Sequence, residues 1–187
     1  MRIDSDIDID FGDRDTLLKL IPHTRAAMRN NTLRHHATGI YVTDIPYDPV
    51  NNIASIDYTA ADKRGYFKLD LLNVHVYNQV RDEQHLIELM NREPKWELLK
   101  DYNKMKNLIH IGNHYKSIKL MPDPINSIPR LAVFLAMIRP AKKHLIGLPW
   151  HEVSKTIWDK GDDGYSFKKS HAIAYAQLVV VHMNLLG

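Results

Sequence analysis

The chain has no cysteine among its 187 residues. Disulfide bonds and thiolate metal sites are therefore excluded, which fits a reducing compartment. Long hydrophobic runs are also lacking, and none approaches the roughly 18 residues that a membrane-spanning helix needs. The first residues are acidic, unlike the apolar stretch of a secretory signal. We therefore predict a cytoplasmic protein that has no membrane partner.

A strong excess of one charge is missing too, since the formal net charge is only +3. This value permits contact with nucleic acid without indicating it. The distribution of charge is more informative, because the first fifteen residues hold six aspartates and two arginines. Basic residues recur near the C-terminus. An acidic pocket and a basic region are both needed by enzymes that handle metal ions and phosphate groups.

Hydrophobic periodicity predicts an α+β fold, in which a small sheet is followed by helices. Predicted strands cover residues 3–11, 38–45, 53–59 and 66–74. Predicted helices cover residues 13–30 (bent or broken at Pro22), 77–92, 96–108, 129–138 (stopped by Pro140), 150–159 and 170–186, the last with Ser170 as N-cap. The prolines between residues 122 and 129 indicate a boundary. We therefore expect a domain at 1–121 and a helical segment at 122–187.

The first predicted strand carries aspartates at every second position. Side chains alternate across a strand, so Asp4, Asp6, Asp8 and Asp10 should share one face. One interpretation is a solvated edge strand whose charges prevent aggregation. The other is that the carboxylates bind divalent cations, because Mg²⁺ prefers oxygen ligands. Asp70, in an otherwise apolar strand, is the candidate third carboxylate of a two-metal site for displacement at phosphorus.

Several segments resemble the catalytic core of C-family DNA polymerases, the bacterial DNA polymerase III alpha subunits. Residues 5–11 (SDIDIDF), followed by Arg14-Asp15, are similar to the family's Pro-Asp-Phe-Asp-Val-Asp-Phe strand with its following Arg-Asp. Residues 36–42 (HATGIYV) match a His-x-x-Gly segment that enters a strand. Residues 68–74 (KLDLLNV) match the family's Lys-Phe-Asp-Phe-Leu-Gly-Leu, which carries its third aspartate.

The most specific match lies near the C-terminus. Residues 164–176 (GYSFKKSHAIAYA) resemble the family's fingers segment, Tyr-Gly-Phe-Asn-Lys-Ser-His-Ala-Ala-Ala-Tyr-Ala. Arg139-Pro140 echoes half of an Arg-Pro-Gly-Pro turn. All of these matches occur in the family's order, so the chain resembles a drastically shortened polymerase core. Such shortening would suit a phage or a mobile element.

The resemblance implies a palm with the nucleotidyltransferase fold of polymerase beta, followed by a fingers-like region. It implies that Asp8, Asp10 and Asp70 are catalytic and bind Mg²⁺ or Mn²⁺. Lys68 should project to the same side as Asp70 and meet a phosphate, although a solvent-facing strand lysine is the simpler interpretation. The expected substrates are a DNA primer-template and deoxynucleoside triphosphates.

Further phosphate contacts are expected in the second half of the chain. The resemblance implies them for Arg139 and for the start of the last helix, where helix N-termini and lysines favour anions. The residues concerned at that helix start are Lys168, Lys169, Ser170 and His171. The alternative there is a capped helix with a solvated basic edge.

The family's Gly-Ser segment, which cradles the triphosphate, has no counterpart before the acidic strand. One expectation is therefore an enzyme that acts alone or beside another replication protein that supplies missing parts. The alternative is a non-catalytic polymerase remnant that binds DNA, nucleotide or the replication machinery. A zinc site at His110 and His114 is disfavoured, because no H-E-x-x-H pattern accompanies them. The three tryptophans are expected in the core.

Overall fold

The computed structural model describes residues 6–160 and 167–187, with side chains from residue 9 onward. The chain forms two compact units, which divide between Gln79 and Val80. The first is an α+β unit built on a mixed six-stranded sheet, and the second is helical. No helix in these described ranges combines the length and the apolar character needed to cross a bilayer.

The first unit begins with the acidic strand and contains all six strands of the sheet. The strands are β1 (Asp6–Phe11), β2 (Thr24–Asn30), β3 (Thr32–Tyr41), β4 (Tyr47–Asp48), β5 (Ile53–Asp57) and β6 (Lys68–Asn73). Two helices, α1 (Arg14–Leu18) and α2 (Tyr58–Lys63), and a 3-10 turn (His75–Gln79) complete it. The strand order is β1-β6-β3-β2-β5-β4, so the acidic strand lies at one end of the sheet.

The helix predicted over residues 13–30 is wrong beyond its first turn and a half. Only α1 is helical, and the residues after Pro22 form β2, which pairs with β3 in an antiparallel hairpin. Asn31 closes this hairpin with φ +60°. Asparagine adopts this left-handed conformation more readily than most residues, so a tight turn forms where a helix was expected. Strand β3 consequently starts at Thr32 and ends at Tyr41, whereas the prediction covered residues 38–45.

The other strand predictions in this unit are close to the structure. Strand β6 lies within the predicted 66–74 segment, and β5 lies within 53–59. Strand β5 stops at Asp57, because the Asp57 carboxylate caps the N-terminus of α2 by accepting the N–H groups of Thr59 and Ala60. The core of this unit is small and rich in alanine. It contains Ala26, Ala27, Tyr41, Ile45, Ile53, Ala54 and Ala61.

The described part of the second unit consists of helices and the connections between them. Its α-helices are α3 (Glu83–Asn91), α4 (Tyr102–Met105), α5 (Tyr115–Leu120), α6 (Ile128–Met137), α7 (Trp150–Thr156) and α8 (Lys169–Leu186). Three 3-10 helices lie between them, at Trp96–Lys100, Gly112–His114 and Pro140–Leu145. Helices α6 and α8 pack against each other and contribute half of the buried residues of the apolar core.

The predicted boundary near residue 121 differs from the observed division after Gln79. Residues 80–121 share the core of the later helices, since Met105 and Ile111 are fully buried in the same cluster as Phe134. The prolines near residue 122 lie in a connection inside that unit. Trp96, Trp150 and Trp158 pack against this core, which confirms the prediction for the tryptophans.

Candidate active site

The acidic strand and the strand of Asp70 are direct neighbours. Strand β1 pairs with β6 in parallel, and Asp8 lies opposite Asp70 while Asp10 lies opposite Leu72. On its other side β6 pairs with β3 in an antiparallel arrangement, with Gly39 opposite Asp70. Asp70 is thus flanked by Asp8 and Gly39 in a row across three strands. The side chain of Asp8 lies outside the described part of the chain.

Asp70 is buried, with 7% of its surface exposed, and both of its carboxylate oxygens have partners. The hydroxyl of Thr38 donates a hydrogen bond of 2.7 Å to Oδ1. The ammonium group of Lys68 donates to Oδ2 and forms an ion pair with it. A buried carboxylate needs such partners, because an isolated charge is costly to remove from water.

Lys68 is buried as well, with 7% of its surface exposed, so it is not the solvent-facing strand lysine of the simpler interpretation. Its ammonium group lies 5.8 Å from the ring centroid of Tyr58, at the start of α2. Gly39 makes space for the lysine stem. A Cβ atom at position 39 would lie 2.9 Å from the Cδ atom of Lys68, which is closer than real contacts allow.

His36 holds the short segment that presents Thr38 to Asp70. Its Nδ1 atom accepts the backbone N–H of Gly39 at 3.0 Å and that of Thr38 at 3.3 Å. An Nδ1 atom that accepts these bonds carries no proton, so its approach of 3.6 Å to Asp70 is not an ion pair. The His36 ring also meets the Tyr58 ring edge to face, with centroids 5.3 Å apart. The His-x-x-Gly segment singled out in the sequence therefore contacts the third aspartate.

Asp10 lies on β1 two residues beyond Asp8 and is half-buried. Burial raises the pKa of Tyr77, and the negative charge of Asp10 raises it further, which places this carboxylate near the phenol. Burial also raises the pKa of Tyr41 to about 12, with the charge of Asp70 as the next cause. The two phenols therefore stay protonated beside the carboxylates at neutral pH.

Arg14 fixes the turn that follows β1. Its guanidinium donates to the carbonyl oxygens of Ala37 at 2.6 Å and Leu71 at 3.1 Å. Its backbone N–H donates to the side chain of Asn73 at 2.9 Å. Arg14 thereby ties the end of the acidic strand to both β3 and β6. The sequence pointed to this arginine only as part of an Arg-Asp pair.

The carboxylates supply oxygen donors, which suit a hard ion such as Mg²⁺ or Mn²⁺. A carboxylate has about four lone-pair sites, so Asp70 keeps acceptor capacity beyond its bonds to Thr38 and Lys68. Among the side chains described, no group of three or more histidines, aspartates or glutamates is arranged to hold a metal. Asp8 is not among these side chains.

The predicted phosphate residues of the second unit fall near the start of α8. Helix α8 begins at Lys169, so Lys168 takes the N-cap position and no side chain caps the helix. Ser170, predicted as the N-cap, instead lies in the first turn; a lysine precedes the helix where the pattern suggested a serine. Lys168, Lys169 and Ser170 are exposed, whereas His171 is half-buried and contacts the ring of Tyr175.

Arg139 follows α6 and precedes Pro140, which ends that helix as predicted. Its guanidinium stacks on the ring of Phe167, with Cζ 4.3 Å from the ring centroid. The structure thus brings Arg139 close to the segment that leads into α8. Within the second unit, two of the predicted phosphate-binding regions lie together.

No family model matches the chain. No curated protein is similar to it, and no solved structure matches its fold. The similarity to C-family polymerases therefore stays a prediction from the quoted motifs. Sequence reasoning did not single out Thr38 or Tyr58 as site residues. Thr38 could have been found as a polar residue inside the His-x-x-Gly segment, while nothing in the sequence marks Tyr58.

Proposed function

We propose that the chain is a metal-dependent nucleotidyltransferase, a minimal relative of the DNA polymerase III alpha catalytic core that extends a DNA primer with deoxynucleoside triphosphates. The observation that carries this proposal is the pairing register of β1 with β6, which are neighbours at one end of the sheet. Asp8 lies directly opposite Asp70 on a parallel neighbour, and Asp10 follows two residues later. Asp70, which is far away in sequence, therefore lies beside the strand that carries Asp8 and Asp10.

In this proposal Asp8, Asp10 and Asp70 hold Mg²⁺ or Mn²⁺ in a palm of the nucleotidyltransferase type. The ions would supply activation of the attacking oxygen and stabilisation of the leaving oxygen. Thr38 orients the Asp70 carboxylate through its hydrogen bond to Oδ1. Lys68 contributes a positive charge beside Asp70 that can neutralise a phosphate group.

In the second unit, the proposal assigns phosphate contacts to Arg139 and to the start of α8. The lysines at positions 168 and 169 are exposed, as contacts to a DNA backbone require. A long helix also presents unbonded N–H groups at its first turn, where anions are favoured. Ser170 and His171 lie in that turn and complete the proposed contact region.

A second candidate is a polymerase remnant that binds DNA, nucleotide or the replication machinery without catalysis. One observation favours it. Both oxygens of Asp70 already have partners within the chain, in the manner of a structural ion pair. A metal-binding test and a primer-extension test together separate the two candidates, because only the enzyme needs both the ion and the chemistry.

The test measures thermal unfolding with and without Mn²⁺ in the wild type and in Asp8→Asn/Asp10→Asn. At an ion concentration 100 times Kd, binding stabilises by about 2.7 kcal/mol, which is roughly 5–10 °C for a chain of this size. The double variant should lose most of this shift. Asp44→Asn is the matched control, because Asp44 is an exposed loop carboxylate in the same unit.

Primer extension with labelled deoxynucleotides then tests the chemistry itself. Incorporation by the wild type and by Asp44→Asn, with none by Asp8→Asn/Asp10→Asn, supports the enzyme. Equal Mn²⁺ shifts in all three proteins contradict the metal site. A metal shift confined to wild type and control, without incorporation, supports a metal-binding remnant.

A further inference from the structure

The second unit contains a group of basic side chains around Arg139, outside the proposed catalytic centre. His110 and His114 belong to the turn before α5, whereas Arg139 directly precedes the 3-10 helix that contains Lys143. The His110 ring stacks on Tyr175, the Tyr175 ring centroid lies 6.1 Å from that of Phe167, and the Arg139 guanidinium lies over Phe167. Besides burial, the positive charges of Lys143 and Arg139 lower the pKa of His114. The four basic residues therefore come from two separate segments of the unit.

Arg139 contacts an aromatic ring. Its guanidinium lies over Phe167, and its Nε atom is buried without a hydrogen-bond partner in the part of the chain that the structure describes. None of the described carboxylates forms an ion pair with it. Arg130 in the same unit provides a contrast, since its guanidinium lies over Trp150 but donates to Pro124 O at 2.9 Å and Asn126 Oδ1 at 3.3 Å. The two arginine–aromatic pairs therefore differ: Arg130 donates hydrogen bonds within the described part of the chain, whereas the Nε atom of Arg139 does not.

His110 lies in a turn whose neighbouring residues are fixed by burial and hydrogen bonding. It has φ +62°, a conformation uncommon for residues other than glycine. The turn is fixed on both sides: the N–H of Ile109 donates to Nδ1 of buried His182 at 3.1 Å, and Ile111 is fully buried. The exposed His110 ring stacks on Tyr175 with centroids 4.4 Å apart. Backbone strain that the surroundings maintain is a recurrent feature of ligand sites.

The two histidines are kept neutral by their surroundings. Burial lowers the pKa of His110, although part of its ring surface is exposed, and the charges of Arg139 and His171 lower it further. Burial also lowers the pKa of His114, followed by the charges of Lys143 and Arg139. An anion bound here would offset the positive charges of Arg139 and Lys143. Because the same anion would favour protonated histidine, its binding would be accompanied by proton uptake.

We propose that Arg139, His110 and His114 form a binding site for a phosphate group, with Lys143 at its edge. The guanidinium of Arg139 supplies charge-assisted hydrogen bonds, and the histidine N–H groups supply further donors when protonated. A dedicated metal site at His110 and His114 does not fit the same surroundings, since two cationic side chains act on them. The site rests on the proposed function in one respect, since that function already assigns a phosphate contact to Arg139, and it adds His110, His114 and Lys143 to this contact. Sulfate binding in EDTA can succeed or fail separately from Mn²⁺ binding and primer extension, because none of these residues belongs to the sheet.

The test uses sulfate as the probe, because sulfate has the shape of phosphate and keeps a constant charge between about pH 5.5 and about pH 8, where histidine titrates. Calorimetry on the full chain in EDTA should show binding that strengthens as pH falls. Arg139→Gln should weaken it roughly tenfold or more, as expected for loss of a bond to a charged group. Arg130→Gln removes the same charge from an arginine whose guanidinium already has hydrogen-bond partners within the chain. This variant should bind sulfate as the wild type does.

The contribution of the two histidines to anion binding is tested separately with His110→Asn/His114→Asn. This variant should lose the pH dependence and take up fewer protons on binding, measured in buffers of different ionisation enthalpy. It also keeps the proposal testable where Arg139→Gln fails to fold. Binding that is independent of Arg139, or pH dependence that persists without both histidines, contradicts the proposal.

Two competition experiments identify the kind of molecule that carries the phosphate group. Displacement of sulfate by a deoxynucleoside triphosphate indicates a nucleotide, and displacement by single-stranded DNA with a steep salt dependence indicates a nucleic-acid backbone. Displacement by neither overturns the assignment to phosphate. Asp162 and Asp163 lie outside the described residues. Sulfate binding by Asp162→Asn/Asp163→Asn, without binding by the wild type, would also overturn the proposal, because the chain would then supply its own anion to Arg139.

Discussion

Each unit buries two polar side chains two residues apart, but in different chemical forms. In the sheet unit these are Lys68 and Asp70, an ion pair on β6. In the helical unit they are His182 and Asn184 on α8, both uncharged and both bonded to backbone groups. The neutral pair ties neighbouring segments to the helix. The charged pair leaves ionised groups at a sheet position, which a purely structural role would not require.

The largest effect is expected from Lys68→Met. It leaves Asp70 as an unpaired buried charge, which should lower the free energy of unfolding by about 3 kcal/mol. This value is at the lower end of the range for broken buried ion pairs, because the two side chains keep 9–10% of their surface exposed. Urea unfolding measures the loss. Lys68→Met/Asp70→Leu should recover most of it, since the charge is then removed as well. A double variant as unstable as the single one would show that packing, not charge, dominates at this position.

A smaller effect is expected from Asn184→Leu in the helical unit. The Asn184 amide donates to the carbonyl oxygens of Leu89 at 2.8 Å and Arg92 at 2.9 Å, which lie at the C-terminal end of α3. Leaving these carbonyls without a donor should cost about 2 kcal/mol in urea unfolding. The exposed Asn113 provides the control substitution Asn113→Leu, which should change stability little. Equal losses in both variants would remove the proposed role of Asn184.

The smallest effect is a pH dependence from His182. Burial lowers the pKa of His182 in the folded state, so the unfolded chain binds the proton more readily. Stability should therefore fall as pH decreases from about 6.5 toward the lowered pKa, by at most about 1.4 kcal/mol per pH unit for one proton. His182→Gln should reduce this slope in urea titrations at a series of pH values. His151→Gln, at an exposed position of α7, should leave the slope unchanged.

The elements that sequence predicted well are those with one dominant signal. Strand β6 was found because β-branched and apolar residues surround a single aspartate, and α6 was found because Pro140 marks its end. The hairpin at Asn31 was missed because apolar residues on both sides of Pro22 mimic helical spacing. Its turn depends on one left-handed asparagine, which periodicity does not reveal.

The candidate site could be predicted only in part. The shared face of Lys68 and Asp70 follows from strand alternation, and the polymerase-like motifs indicated Asp8 as a companion of Asp70. The hydrogen bond from Thr38 to Asp70 depends on the antiparallel pairing of β3 with β6, which links residues 32 positions apart. The group around Arg139 joins two segments that are distant in sequence, so no local spacing could have linked them.

Gly39 has a consequence for how this sequence can vary over evolution. A Cβ atom there would come within 3.0 Å of His36 and of Ala26, and closer still to Lys68. In any relative with alanine at position 39, a smaller side chain should therefore stand at position 36 or 68. Such a relative would lose either the support for Thr38 or the partner of Asp70. We expect positions 36, 39 and 68 to change together, and a homologue with alanine at 39 beside an unchanged histidine and lysine would contradict this packing.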